Sequence, residues 1–200
     1  MARQHNSKET TELIINSAIE NFLEKGYSKT TLEDIVQRVG LTRGAFYWNF
    51  KCKKEILDEI VNRYEKFYLD IYDNYEQSES ARSTLRNLLI RDISKKVTGN
   101  PYMVIIRYKV EASAEVSDLI ERQGKLDDLF IGIIEKEIAR GIENGEFSSS
   151  VNAREGAVLI FTYLLGFDNY LSVHLSDSEK DTMDKAQIER LVDMMMKVLG

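Results

Sequence analysis

Apolar side chains recur along this 200-residue chain with the three- to four-residue spacing of amphipathic α-helices. Within residues 8–24, for example, Ile14, Ala18 and Phe22 are four residues apart and are flanked by further aliphatic side chains. The chain contains one proline, and none of its segments alternates apolar and polar residues as a half-buried strand does. The pattern therefore predicts an all-α fold of nine to ten helices.

Capping residues and glycines indicate where these helices begin and end. We expect a first helix over residues 8–24 that ends at Gly26. Two short helices follow, which begin at Thr31 and Thr42 and are separated by Gly40. The remaining pattern predicts helices over residues 53–75, 82–96, 116–142 and 153–174, with one more from Asn100 and a last one near the C-terminus.

The two short helices at residues 31–50 have the lengths and the intervening turn of a helix-turn-helix. Gly40 supplies the unusual backbone angles of such a turn. Four apolar residues have the spacing to pack the two helices on each other and on the first helix, namely Leu32, Ile35, Val39 and Phe46. The other face of the second short helix is then available to enter a DNA groove.

The side chains on that face suit double-stranded DNA. Arg43 can donate two hydrogen bonds to a guanine edge, and Gly44 allows the backbone to approach DNA closely. Tyr47 can hydrogen-bond a phosphate, while Trp48 can contact thymine methyls or the sugar backbone. Lys53, at the start of the next helix, is included as a phosphate-binding residue. The candidate DNA-contacting residues are Thr31, Thr42, Arg43, Gly44, Ala45, Tyr47, Trp48, Asn49 and Lys53.

Plain helix packing is the alternative explanation for this motif. Phe46 and Phe50 are four residues apart and share the inner face of the short helix. Tyr47 and Trp48 are then left outside, where an aromatic pair beside basic residues is costly without a partner. The arrangement favours DNA binding over packing alone.

The charge distribution supports a local DNA contact in spite of a net charge of −6. Residues 1–54 contain nine basic and six acidic side chains, whereas the remaining residues contain 18 basic and 27 acidic ones. A basic N-terminal segment on an acidic body is typical of a protein whose DNA contact is confined to one part of the molecule.

The helix-turn-helix segment resembles the DNA-binding motif of the tetracycline-repressor (TetR) family, and especially that of AcrR-type multidrug-efflux repressors. The resemblance rests on the run Thr31-Leu32-Glu33-Asp34-Ile35 and on Val39-Gly40-Leu41-Thr42-Arg43-Gly44-Ala45-Phe46-Tyr47-Trp48-Asn49-Phe50. One departure is Asn49, where family members usually have a histidine that helps to hold or contact the backbone. The resemblance implies a ligand-responsive repressor, here of an efflux operon, with a DNA-binding domain at residues 1–52 and a ligand-binding and dimerisation domain at residues 53–200.

A homodimer and an inverted-repeat operator follow from the same resemblance. Residues 157–171 are apolar nearly all round, which predicts a helix buried on most faces, one side facing the core and another a partner subunit. In the family this helix and the last one usually form the dimer, here residues 153–174 and 182–199. Two-fold symmetry in the protein is mirrored in the half-sites of the operator.

The second domain is expected to bind a hydrophobic or cationic small-molecule inducer. Aromatic and methionine side chains suit varied apolar ligands, although plain core packing is the alternative for each residue. The candidate ligand contacts are Phe67, Tyr102, Met103, Ile106, Phe130, Ile134, Phe161, Tyr163, Phe167 and Asp168. A buried Asp168 would need a partner, such as a cationic ligand, Arg107 or an interface residue, and the sequence favours its partial exposure instead.

Two alternative functions are that of an enzyme and that of a regulator with a different ligand. An enzyme is not expected, because the chain has two histidines, one cysteine and none of the common zinc, P-loop or nucleophile motifs. No cofactor is expected either. A regulator of metabolic genes that senses a metabolite such as an acyl-CoA remains the alternative. The absence of a signal peptide, of a membrane-spanning apolar run and of a cysteine partner for Cys52 predicts a cytoplasmic protein.

Overall fold

The computed structural model describes residues 7–73, 75–97, 117–174 and 183–200. These segments contain eight α-helices, one short 3-10 helix and no strand, so the predicted all-α class is confirmed. The predicted number of nine to ten helices differs slightly, and the helix predicted from Asn100 lies outside the described residues. The helices are α1 (Ser7–Lys25), α2 (Leu32–Val39), α3 (Arg43–Asn49), α4 (Lys53–Tyr72), α5 (Ala81–Val97), α6 (Ser117–Glu143), α7 (Ala153–His174) and α8 (Lys185–Met196), followed by the 3-10 helix Lys197–Leu199.

Local signals determine most of the helix ends. Gly26, with a φ of 81°, follows the last residue of α1, and Gly40, with a φ of 70°, ends α2. The predicted end of α4 is wrong, because this helix stops at Tyr72 instead of residue 75. The side chains of Tyr75 and Gln77 hydrogen-bond the buried carboxylate of Glu137 on α6, a tertiary contact that helical periodicity does not reveal.

The described residues form two compact units. Residues 7–66 and 117–121 belong to the first, and residues 67–73, 75–97, 122–174 and 183–200 belong to the second. Helices α4 and α6 contribute residues to both units. The functional division between residues 52 and 53 remains a prediction.

The first unit is built around apolar residues of α1 on which α2, α3 and α4 pack. Ile14, Phe22, Ile35 and Phe46 are almost completely buried in one cluster, whereas Leu32 lies only partly buried at its edge. Burial of each such side chain contributes roughly 1.5–3 kcal/mol. The hydroxyl of Ser17 also donates a hydrogen bond to the carbonyl oxygen of Ile35, at 3.0 Å. These contacts fix the helix-turn-helix on α1.

The second unit has an aromatic core and a polar clamp at the start of α5. The ring of Phe130 stacks on Tyr72, with 4.0 Å between their centroids, and lies 5.0 Å from Tyr68. The Glu146 carboxylate accepts hydrogen bonds from the Ser80 hydroxyl and from two backbone N–H groups at the start of α5. These hydrogen bonds lower the pKa of Glu146 to about 2, and the hydrogen bond from Ser80 makes the largest contribution.

None of the helices among the described residues is long and apolar enough to cross a membrane. Within the same residues, no three or more His, Cys, Asp or Glu side chains are grouped so that they could hold a metal ion.

Candidate DNA-binding surface

The backbone of the helix-turn-helix is fixed by its own capping residues. The Thr31 hydroxyl accepts a hydrogen bond from the Asp34 N–H at 3.2 Å, while the Asp34 carboxylate accepts one from the Thr31 N–H at 2.9 Å. Hydrogen bonds from Lys25 and Thr31 hold the pKa of Asp34 well below its ordinary value. At the turn, the N–H of Gly40 donates to the carbonyl oxygens of Val36 and Gln37. Thr31 and Asp34 therefore cap α2 reciprocally, at the helix start that the sequence predicts.

Helix α3 begins at a second cap and exposes one face. The Thr42 hydroxyl accepts a hydrogen bond from the Ala45 N–H at 3.2 Å. Phe46 and Phe50 are buried, with 1% and 7% of their surface exposed, whereas Tyr47 is 54% and Trp48 is 84% exposed. The predicted division of this aromatic run into an inner and an outer face is confirmed.

Arg43, the candidate base-reading residue, is held by a carboxylate. Its Nη2 atom lies 2.7 Å from Oε1 of Glu33, and both side chains are largely exposed. The two residues line a surface cleft of about 160 Å³ between α2 and α3, which is also lined by Phe46 and Tyr47. Glu33 could not be predicted from periodicity, because a salt bridge between residues ten positions apart on two helices has no periodic signal.

Asn49 connects α3 to α1. Its Nδ2 atom donates to the carbonyl oxygen of Ala45 at 2.9 Å, and its Oδ1 atom accepts a hydrogen bond from the Thr11 hydroxyl at 2.9 Å. The side chain is half-buried. Asn49 is thus in place to hold α3, and a direct DNA contact by this residue remains a prediction. Thr11 was missed by sequence reasoning, since it lies 38 positions away.

Lys53 makes contacts within the first unit. Its ammonium group donates to the carbonyl oxygens of Tyr27 and Thr30, at 2.7 Å and 3.0 Å, and lies 4.2 Å from the centroid of the Tyr27 ring. The lysine therefore holds the connection between α1 and α2. Its phosphate contact remains a prediction, as do the DNA contacts of Thr31, Thr42, Gly44 and Ala45.

The candidate ligand residues that the structure describes differ in their burial. Phe130, Ile134 and Phe161 are buried, and Phe67 and Phe167 are half-buried. Tyr163 is largely exposed. Tyr102, Met103 and Ile106 lie outside the described residues. A role in ligand binding remains a prediction for all of them.

Asp168 is buried, and its expected partial exposure is wrong. Its Oδ2 atom lies 3.1 Å from the ammonium of Lys96, which also lies 2.6 Å from Oδ2 of Asp92. Burial opposes the charge on Lys96, but the two carboxylates outweigh this effect and raise the pKa of Lys96. Lys96 was not among the expected partners, and Arg107 lies outside the described residues.

The sequence of α5 contains a signal for this cluster. Asp92 and Lys96 fall on the stripe of α5 that otherwise carries Leu85, Leu88 and Leu89, all of which are buried. A carboxylate and an ammonium four residues apart on an apolar stripe indicate a buried ion pair, because neither charge is buried alone at low cost.

Helix α7 is less buried within one chain than its composition predicts. Ala157, Ile160 and Leu164 are buried, but the opposite side exposes apolar and aromatic surface. The exposed apolar residues of α7 and α8, which we call the α7 face, are Val158, Leu159, Tyr163, Tyr170 and Met194. One side of α7 therefore lies in the core, as expected, and burial of the other side against a partner subunit remains a prediction.

The chain is similar to known bacterial regulators. The family model for bacterial regulatory proteins of the tetR family matches residues 14–60. AcrR of Shigella flexneri, an HTH-type transcriptional regulator, is 29% identical over 197 residues, which cover 94% of this chain and 92% of AcrR.

Solved structures extend this similarity to the whole fold. NalD, the secondary repressor of the MexAB-OprM multidrug efflux pump in Pseudomonas aeruginosa, is 25% identical with a TM-score of 0.70, over 96% of each chain. SmeT, in a complex with triclosan, is 27% identical with a TM-score of 0.68, over 95% of this chain and 91% of SmeT.

Proposed function

Because this chain belongs to the TetR family of transcriptional regulators, we propose that it is a repressor that binds a DNA operator through α2 and α3 and is released by a small molecule. The single observation that supports the DNA contact is the composition of the outer face of α3. Tyr47 and Trp48 are exposed there beside Arg43, while the inner face of the same short helix is buried through Phe46 and Phe50.

Gly44 supports the same face as the contact surface. A methyl group built on Gly44 would meet only the Thr42 hydroxyl, at 4.0 Å, so packing within the described part of the chain does not require a glycine here. The φ angle of Gly44 is also ordinary, because the positive-φ glycines of the described residues lie elsewhere. Close approach of a DNA backbone to α3 explains why this position has no side chain.

We assign the recognition roles by the chemistry of each side chain. Arg43 donates two hydrogen bonds to a guanine edge, and this contact determines sequence preference. Tyr47 donates to a phosphate, and Trp48 lies against thymine methyls or sugars. The N–H groups at the start of α4 bind a phosphate without regard to sequence, and the positive charge of Lys53 strengthens this attraction.

Dimerisation through the α7 face would double this contact. Five apolar or aromatic side chains of α7 and α8 are exposed, and apolar groups that are exposed together are costly to leave in water. A two-fold dimer pairs this surface with its own copy and presents two α3 helices to half-sites about 34–36 Å apart. The operator is then an inverted repeat.

We assign the regulated genes and the inducer by comparison. NalD is the secondary repressor of a multidrug efflux pump, and SmeT forms a complex with triclosan. This chain therefore controls an efflux operon and responds to hydrophobic or cationic compounds that enter the second unit. Since α4 contributes residues to both units, a ligand that displaces α4 changes the separation of the two α3 helices in a dimer.

The test begins with a library of random DNA duplexes. The full-length protein should enrich an inverted repeat, and fluorescence anisotropy should show its release by triclosan or by the lipophilic cation tetraphenylphosphonium. Palmitoyl-CoA is the matched probe for the metabolic alternative. Release by palmitoyl-CoA alone would contradict an efflux role, and failure to enrich any sequence would contradict a sequence-specific DNA-binding function.

A further inference from the structure

The salt bridge between Glu33 and Arg43 joins the two helices of the helix-turn-helix at its exposed side. The distance from Glu33 Oε1 to Arg43 Nη2 is 2.7 Å, and the two side chains are 59% and 74% exposed. Glu33 is the second residue of α2, and Arg43 is the first residue of α3. Both line the cleft that also includes Leu32, Val36 and Tyr47.

A carboxylate at this position needs an explanation. DNA phosphates repel it, so Glu33 weakens any general attraction between this surface and DNA. Capping of α2 does not require Glu33, because Thr31 and Asp34 complete the reciprocal hydrogen bonds at that end. The described contact of Glu33 that remains is the one with Arg43.

We propose that Glu33 is a positioning residue that determines base preference by holding the guanidinium of Arg43 at one base edge. This inference rests on the proposed DNA-binding function. A free exposed arginine populates many rotamers and can reach a phosphate as easily as a base. One carboxylate contact at Nη2 restricts these rotamers and leaves other N–H donors of the planar guanidinium available for the O6 and N7 atoms of guanine.

The Glu33 carboxylate also lowers the affinity of this surface for non-specific DNA. By pairing with Arg43, it lowers the positive charge that non-specific DNA would meet at this face. Glu33 thus increases the ratio of specific to non-specific binding in two ways, since it favours one base contact and disfavours sequence-independent ones.

The experiment compares full-length wild type, Glu33→Gln, Arg43→Ala and the double variant on a random duplex library and by anisotropy titration. Glu33→Gln keeps the shape of the side chain and removes its charge. We expect preference for guanine at one position of each half-site to fall about five-fold, while affinity for random DNA stays equal or rises. In the Arg43→Ala background, Glu33→Gln should produce no further change in base preference.

Glu24→Gln is the matched control. It removes the same charge from the same unit and breaks another exposed ion pair, between Glu24 and Arg38. We expect it to leave base preference unchanged. Thermal denaturation of all variants checks that folding is retained.

Three other outcomes would contradict the positioning role of Glu33. If wild type enriches an operator and Glu33→Gln retains the same base preference, the positioning role is wrong. If Glu33→Gln changes the preference even without the Arg43 side chain, Glu33 contacts a base itself, and positioning is again wrong. If wild type enriches no sequence, the proposed DNA-binding function fails, and the role of Glu33 fails with it.

Discussion

Lys96 and Asp168 form a buried ion pair in the second unit, with 3.1 Å between the ammonium and a carboxylate oxygen. Asp92 also lies 2.6 Å from the same ammonium and accepts a hydrogen bond from the Tyr72 hydroxyl at 3.1 Å. The pair thus connects α5 to α7, while Tyr72 adds α4 to the cluster.

Removal of the Lys96 charge should strongly destabilise the protein. Lys96→Met leaves two buried carboxylates without their shared cation, and loss of one partner of a buried ion pair typically costs about 3–5 kcal/mol. Urea denaturation followed by circular dichroism measures the change. Lys95→Met, which alters the adjacent half-buried lysine, should have a much smaller effect. Equal losses for the two variants would show that the buried cluster is not the cause.

Gly44→Ala should separate DNA binding from folding. The added methyl group meets no atom closer than 4.0 Å in the described chain, and alanine has a higher helix propensity than glycine by about 1 kcal/mol. We therefore expect unchanged or increased thermal stability, together with at least a ten-fold loss of affinity for the enriched operator. Gly132→Ala is the control, because this exposed α6 glycine also has open space at its Cβ. Retention of full operator affinity by Gly44→Ala would contradict close approach of DNA at α3.

The hydrogen bond between Thr11 and Asn49 should matter for operator affinity. Thr11→Val keeps the shape of the side chain but removes the hydroxyl that donates to Asn49 at 2.9 Å. We expect a loss of about 0.5–1.5 kcal/mol in stability and a several-fold loss in operator affinity, because α3 is held less firmly on α1. A double-mutant cycle with Asn49→Ala measures the coupling. Strict additivity of the two variants would argue that the two side chains act independently.

Val158→Glu should dissociate the proposed dimer. Val158 is exposed within one chain, so the substitution leaves the fold of the protomer intact, but it buries a charge at a dimer interface built from the α7 face. Sedimentation velocity should show a monomer, and affinity for an inverted repeat should fall toward that for a single half-site. Ser83→Glu, at an exposed position of α5, is the control. An unchanged dimer would place the interface elsewhere.

Glu146 should contribute stability that depends on pH. Its folded-state pKa is lowered from 4.5 to about 2, so the contribution is complete above the unfolded value and is lost as pH falls through the folded one. We expect Glu146→Gln to be less stable than wild type at pH 7, with a difference that shrinks between pH 5 and pH 2. Equilibrium unfolding at a series of pH values measures it, with exposed Glu143→Gln as the control. A difference that does not vary with pH would exclude this carboxylate as its source.

Local sequence determined the helix-turn-helix almost completely. Thr31, Gly40 and Thr42 cap or end α2 and α3 where the pattern predicts, because capping acts within one helical turn. Phe46 and Phe50 are buried and Tyr47 and Trp48 are exposed for an equally local reason, since residues four apart share a helix face. The candidate DNA-binding face could therefore be predicted from about 20 consecutive residues.

Only the tertiary structure decided which distant side chains meet. Helical periodicity indicates that a residue faces inward, but it does not identify the residue that faces it from another helix. Asp168 is buried rather than exposed because α5 places Lys96 against it, and α4 ends at Tyr72 while Tyr75 contacts Glu137 on α6. The contact between Glu33 and Arg43 is also tertiary, because the two residues lie on different helices. The turn at Gly40 brings the starts of these helices together.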